Sequence, residues 1–113
     1  MTTLYHNPRC SKSREALQLL EEKGESIEII KYLETPLTKE ELTKLIQLID
    51  IEPIELVRTN EKDWKENFKG KTLTNEEIIE AMVAYPKLIE RPIAVKGQHA
   101  AIGRPPENVL EIL

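Results

Sequence analysis

The sequence predicts a single α/β domain over residues 1–113, in which a βαβ unit joins a ββα unit in a small mixed sheet and a run of helices is inserted between the halves. Three observations lead there. The first third alternates a short strand, an amphipathic helix and a second β-branched run. The middle carries helix-start signals without a strand pattern. The last third holds two short apolar runs around a turn, then a proline-opened helix.

The elements follow in order. In Thr2 to His6, Leu4 and His6 alternate with Thr3 and Tyr5, and Asn7-Pro8 breaks the strand. From Ser11 to Lys23, Ala16, Leu17, Leu19 and Leu20 recur at helical spacing, with Gly24 placed to stop the helix. Ser26 to Leu33, "SIEIIKYL", reads as a second strand ending at Glu34-Thr35-Pro36. A helical crossover makes the two strands parallel. Thr38 with Glu41 is a capping box ahead of Leu42, Leu45, Ile46 and Ile49, and Thr74 with Glu77 repeats it ahead of Ile78, Ile79, Met82 and Val83. Pro53 opens a short helix between them, carrying Ile54, Leu56 and Val57. Ile93–Val95 and Ala100–Ile102 flank "KGQH" as a hairpin, and Pro105-Pro106 opens a last helix through Val109, Leu110 and Leu113.

Composition narrows the function. Apolar residues make up 40% and charged residues 32%, and no apolar run nears the roughly 20 residues of a membrane span. A soluble protein is expected, and "MTTLYHNP" has no secretory pattern, so the cytoplasm is the expected compartment. A net charge of −4 argues against general nucleic-acid affinity, which needs basic surface. Any anion must therefore be bound locally. One cysteine and two histidines form no zinc-type spacing, so no metal is expected.

That one cysteine, Cys10, lies in "HNPRCSKSRE", between the first strand and the first helix. A helix start presents unpaired N–H groups and the positive end of the macrodipole, which favour an anion, and a thiolate is one. A lone cysteine in a cytosolic domain is often a small buried hydrophobe. Arg9, Ser11, Lys12, Ser13 and Arg14 make this the most basic and polar segment of an acidic chain, which points instead to a reactive nucleophile.

"YHNPRCSKSR" resembles the active-site signature of the thioredoxin-like, glutaredoxin-coupled arsenate reductases, H-N-P-x-C followed by two variable residues and S-R. The resemblance runs along the whole chain. "YLETPLTKEEL" is similar to the family's second strand and following cap, "LVRTNE" to its helical-block arginine, "ERPI" to the segment before its third strand, and "IGRPPENVLEIL" to its C-terminal end. The βαβ…ββα order agrees with the thioredoxin-like fold this implies.

Beyond Arg9 and Arg14 the chain has three arginines, Arg58, Arg91 and Arg104, each in a stretch matching the family, while eleven basic residues are lysines. Arginine's fork pairs bidentately with oxyanions, which suits these three to bind arsenate. Arg91 precedes Pro92, which holds it extended, and Pro92 resembles the cis-proline that faces the active cysteine in such folds, an arrangement that would aim Arg91 at Cys10. A cation about 5 Å from the sulfur is worth roughly 3 kcal/mol at an effective dielectric near 20.

The implied activity is arsenate reduction. The Cys10 thiolate attacks arsenic, and because no second cysteine exists to resolve the adduct, an outside thiol must do so. The resemblance names glutathione as that external reductant and glutaredoxin as the partner that frees Cys10, with no bound cofactor. Ser13 would cap the helix or contact the oxyanion, Arg14 would brace the loop, and His6 would support the loop or tune the sulfur. His99 reads as a surface residue, and Trp64 and Phe68 as core anchors. A monomer suffices to close such a sheet. Two other readings stay open: an Spx-like regulator that binds RNA polymerase, disfavoured because Ser13 stands where a C-x-x-C switch needs its second cysteine, and a glutathione-linked thiol oxidoreductase with another substrate.

Overall fold

In a computed structural model that describes all of residues 1–113, four strands form one sheet in the order β2-β1-β3-β4. They are β1 (Thr2–Tyr5), β2 (Ile27–Ile30), β3 (Ile93–Lys96) and β4 (His99–Ile102). The β1–β2 pair is parallel, and β1–β3 and β3–β4 are antiparallel. The chain divides into two compact units, one made of Met1–Thr35 with Arg91–Leu113, the other of Pro36–Glu90. The first contains the sheet. No helix is long and apolar enough to cross a membrane.

Within the sheet unit, period-2 alternation decides which side of β1 is buried: Thr2, Leu4 and His6 are covered, whereas Thr3 and Tyr5 are partly exposed. Helix α1 (Ser11–Glu22) lays Ala16 and Leu20, one turn apart, into a core with Leu4, Ala94, Val109 and Ile112. Gly24, at φ 75°, ends it by donating to the Glu21 carbonyl at 3.0 Å. Strand β2 is shorter than the expected Ser26–Leu33. Its register with β1 runs from Thr2↔Ile27 to Tyr5↔Ile30, and the amide of His6 adds one last bond to the Ile30 carbonyl at 2.9 Å. Once β1 gives way to Asn7-Pro8 there is nothing left to pair with, and Lys31–Thr35 folds into a turn in which the amides of Glu34 and Thr35 both donate to the Lys31 carbonyl at 2.9 Å.

The hairpin between β3 and β4 closes through Gly97-Gln98, with Gly97 at φ 61°, a conformation that glycine adopts without steric cost. The last helix is a 3-10 helix, Pro106–Ile112, where an ordinary helix was expected. Its buried residues, Pro106, Val109 and Ile112, recur at a spacing of three, which a three-residue turn places on one face.

The second unit begins with α2 (Lys39–Ile49) and ends past α4 (Asn75–Ala84). Both start in the expected capping boxes. Glu41 N donates to Thr38 Oγ1 at 3.1 Å while Thr38 N donates to Glu41 Oε1 at 2.9 Å, and Thr74 and Glu77 make the same exchange at 3.1 and 2.8 Å. Lys39 ties the two helices together through Glu76 and Glu80. Between them lies α3 (Lys62–Asn67), absent from the pattern reading because none of its six residues is buried. Trp64 and Phe68 are half-buried and not the core anchors expected. They stack at 5.4 Å between centroids, and Phe68 meets Tyr85 edge-on at 5.7 Å, forming a small aromatic cluster within the second unit.

Candidate active site

The turn after β1 is built by Asn7. Its Oδ1 accepts from the amide of Arg9 at 3.0 Å and its carbonyl accepts from the amide of Cys10 at 3.0 Å, so four residues reverse the chain and deliver Cys10 to the start of α1. Cys10 is the N-cap residue, with extended φ −95° and ψ 123°, and its carbonyl takes the first helical bond, from Arg14, at 3.0 Å. The side chain makes no capping bond, so the sulfur is left to other partners, and no acidic residue occupies the first turn of α1. The first amides of the helix, with no acceptor one turn earlier, point into the same loop.

Ser13 is fully buried beneath this loop. Its Oγ accepts from the amide of Asn7 at 3.1 Å and lies 2.7 Å from Nδ1 of His6. Ser13 therefore does not cap its helix; it ties the helix back to the loop and to the end of β1. His6 is itself buried, and burial, followed by the positive fields of Lys31 and Arg14, holds its imidazole below the ordinary histidine range. With the ring proton on Nε2 the Ser13 hydroxyl donates to Nδ1 while accepting from Asn7, and with it on Nδ1 the ring donates to the hydroxyl instead. Arg14 closes the outer side of the loop, donating from Nη1 to the Pro8 carbonyl at 2.9 Å.

From the C-terminal half, Arg104 reaches Cys10. Its Nη2 lies 3.8 Å from Sγ, and its Nε donates to the Arg91 carbonyl at 2.9 Å, which aims the guanidinium. The guanidinium at the sulfur is thus that of Arg104, whereas the sequence pointed to Arg91. Arg91 contributes its carbonyl, and its own Nε is buried without a hydrogen-bond partner. The Arg91–Pro92 bond is cis, and so is Arg104–Pro105. Gly103 makes this approach possible. It donates to the Pro92 carbonyl at 2.8 Å, and a Cβ there would stand 2.7 Å from Pro92 Cγ. The sequence named Asn7 only as part of the strand break and the H-N-P-x-C signature, and Gly103 was not singled out, although a glycine directly before a candidate arginine is a sign of close backbone approach.

Arg58 belongs to the second unit. There its Nη1 pairs with Glu61 at 2.8 Å and its Nε faces Glu90 at 3.8 Å, while its amide donates to the Leu88 carbonyl at 2.7 Å. No group of three or more histidine, cysteine or acidic side chains is arranged to hold a metal ion.

Comparison with known proteins converges on one family. The family model described as ArsC family matches residues 5–112. The chain is 50% identical to the uncharacterised protein YfgD of Escherichia coli strain K12, over 97% of this chain and 94% of that one. It is 43% identical to an arsenate reductase of Haemophilus influenzae, over 97% of each. Among solved structures, the arsenate reductase from Vibrio cholerae superposes with a TM-score of 0.95 at 48% identity, covering 99% of this chain and 97% of that one.

Proposed function

Because the chain belongs to the ArsC family, we propose that it is an arsenate reductase whose nucleophile is Cys10. The observation that carries this reading is the contact at 3.8 Å between the Cys10 sulfur and the Arg104 guanidinium, at the N-terminus of a helix with no acid in its first turn. That contact sets a guanidinium against the sulfur at the helix end that presents unpaired N–H groups. It also provides the donors an oxyanion needs once it displaces the sulfur–guanidinium contact.

In the first step the thiol of Cys10 and hydrogen arsenate form a sulfur–arsenic bond and release water, with arsenic still As(V). Arg104 and Arg91 hold the arsenate oxygens. Arg58 joins them on the strength of the sequence resemblance, giving up one of its two carboxylates to do so. Ser13, His6 and Arg14 keep the loop in the shape that presents the sulfur, and Pro92 shapes the Arg91 segment. The chain has no second cysteine, so reduction to arsenite takes an outside thiol. The proposed reductant is glutathione, with glutaredoxin regenerating Cys10, in the reducing cytoplasm where such thiols are abundant. The proposed enzyme is a monomer without a bound cofactor.

The test is arsenate-dependent oxidation of NADPH with glutathione, glutathione reductase and glutaredoxin present. Wild type should turn over, and Cys10→Ser should lose the arsenate-dependent rate entirely while melting at the wild-type temperature. No arsenate-dependent rate in wild type would refute the reading.

A further inference from the structure

On the β2 side of the Cys10 loop lies a cavity of about 260 Å³ with His6 at its base. One wall is the loop, Asn7, Pro8 and Arg9, and the other is the turn after β2, Lys31, Leu33 and Glu34. Both walls are internally braced: Arg9 by the hydrogen bond its amide donates to Asn7 Oδ1, and the turn by the paired amides of Glu34 and Thr35 on the Lys31 carbonyl. The register Tyr5↔Ile30 is what brings residues 31–34 beside residues 6–9. Within the cavity Arg9, Lys31 and Glu34 are all exposed, and none of them forms an ion pair. Lys31 acts on this space electrostatically, since its charge helps depress the titration of His6. Leu33, 38% exposed, and Pro8 supply apolar surface.

Two unmatched cations and one unmatched carboxylate complement a molecule with two carboxylates and one ammonium. Cys10, the residue after Arg9, needs an external thiol. We propose that this cavity seats the reducing thiol, a small peptide thiol carrying two carboxylates and one amino group, with Arg9 and Lys31 on the carboxylates and Glu34 on the ammonium. This rests on the reading of Cys10 as the reactive sulfur. An extended tripeptide spans about 10 Å, enough to be held in the cavity while its thiol reaches the sulfur one residue away. The thiol sulfur attacks the Cys10 sulfur of the arsenic adduct, forming a sulfur–sulfur bond and breaking the sulfur–arsenic bond. The electron pair leaves with arsenic, which passes from As(V) to As(III), the thiol proton passes to an arsenite oxygen, and the two sulfurs are together oxidised to a mixed disulfide.

The experiment measures thiol–disulfide exchange of Cys10 by intact mass, on the full chain, with glutathione disulfide and with the uncharged bis(2-hydroxyethyl) disulfide. The expected result is that the ratio of the two rates falls about threefold in Arg9→Gln, Lys31→Gln or Glu34→Gln and roughly tenfold in the Arg9→Gln, Lys31→Gln double variant, with the uncharged reagent unaffected. An unchanged ratio in the double variant overturns the proposal, as does an equal slowing with both reagents, which would place the effect on Cys10 itself. Slowing of glutaredoxin-dependent turnover alone, with exchange unaffected, also overturns it and makes the cavity a protein-docking face. The single variants decide the matter should the double variant not fold. A separate arm follows wild-type arsenate turnover: no turnover together with the expected change in ratio refutes the arsenate reading and leaves the thiol seat standing, whereas turnover with an unchanged ratio refutes the seat alone.

Discussion

The two ends of the sheet treat charge in opposite ways. Where β1 begins and β3 finishes, one carboxylate oxygen of Glu25 accepts from Thr2 Oγ1 at 2.6 Å and from Lys96 Nζ at 2.9 Å. The Thr2 hydroxyl, followed by the Lys96 ammonium, pulls Glu25 below the ordinary carboxylate range. Every polar partner there is matched by another. At the opposite end, where β1 runs into Asn7–Cys10 and β3 starts at Ile93, the neutral groups are satisfied within the loop, but Arg9 and Lys31 have no ion pair and Arg104 is turned to the sulfur. The second unit repeats the first pattern, with Arg58 between Glu61 and Glu90. In a chain with net charge −4, two cations without carboxylates, Arg9 and Lys31, flank the one cysteine loop, which suits this end to an anion.

The strongest way to break this comparison is to remove the cation at the sulfur. Arg104→Ala takes away a charge-assisted contact of the kind worth roughly 1.5–3 kcal/mol, so kcat/KM for arsenate should fall about 10- to 150-fold. Arg104→Lys should recover only part of this, because a point charge cannot donate to the Arg91 carbonyl and an oxyanion in the same fork geometry. Steady-state kinetics over a range of arsenate concentrations measure both. An Arg104→Ala variant with wild-type kcat/KM would show that the cation at the sulfur has no part in binding the oxyanion.

Next in size is the loop's internal satisfaction. Ser13→Ala leaves the buried amide of Asn7 and Nδ1 of His6 without their shared partner, which should cost about 1–3 kcal/mol of stability. Chemical denaturation reads the loss directly. A variant as stable as wild type would mean that the loop draws its shape from Arg14 and Asn7 alone.

The regular elements were legible because their signals are local. The capping boxes at Thr38 and Thr74, the stop at Gly24 and the hairpin around Gly97 each depend on neighbours a few residues apart. Helix α3 was not, since a short helix that buries nothing leaves no apolar stripe. The site was legible in its residue types and illegible in its reach. Cys10 stood out by its basic surroundings, yet the arginine at the sulfur is Arg104, because side-chain direction depends on the Gly103–Pro92 approach and on the Arg91 carbonyl, neither of which a linear pattern encodes. Lys31 was invisible for the same reason, as only the parallel register of β1 and β2 brings it beside Arg9.

The smallest effect sharpens the comparison from the matched end. Glu25 titrates below its unfolded value of 4.5, so the folded state binds its proton less readily than the unfolded chain does. Its contribution to stability is therefore fully present above about pH 4.5 and is lost as the pH falls through the lower, folded value. Glu25→Gln keeps an oxygen for the Thr2 hydroxyl and removes the charge that holds Lys96. Thermal melts should show wild type above this variant at pH 7, a constant gap down to about pH 5, and a gap that closes as the pH drops further. Lys31→Gln, at the end without ion pairs, should leave the melting temperature unchanged at pH 7. If Lys31→Gln lowers the melting temperature at pH 7 as much as Glu25→Gln does, then charge at both ends serves stability alike, and the asymmetry between them carries no function.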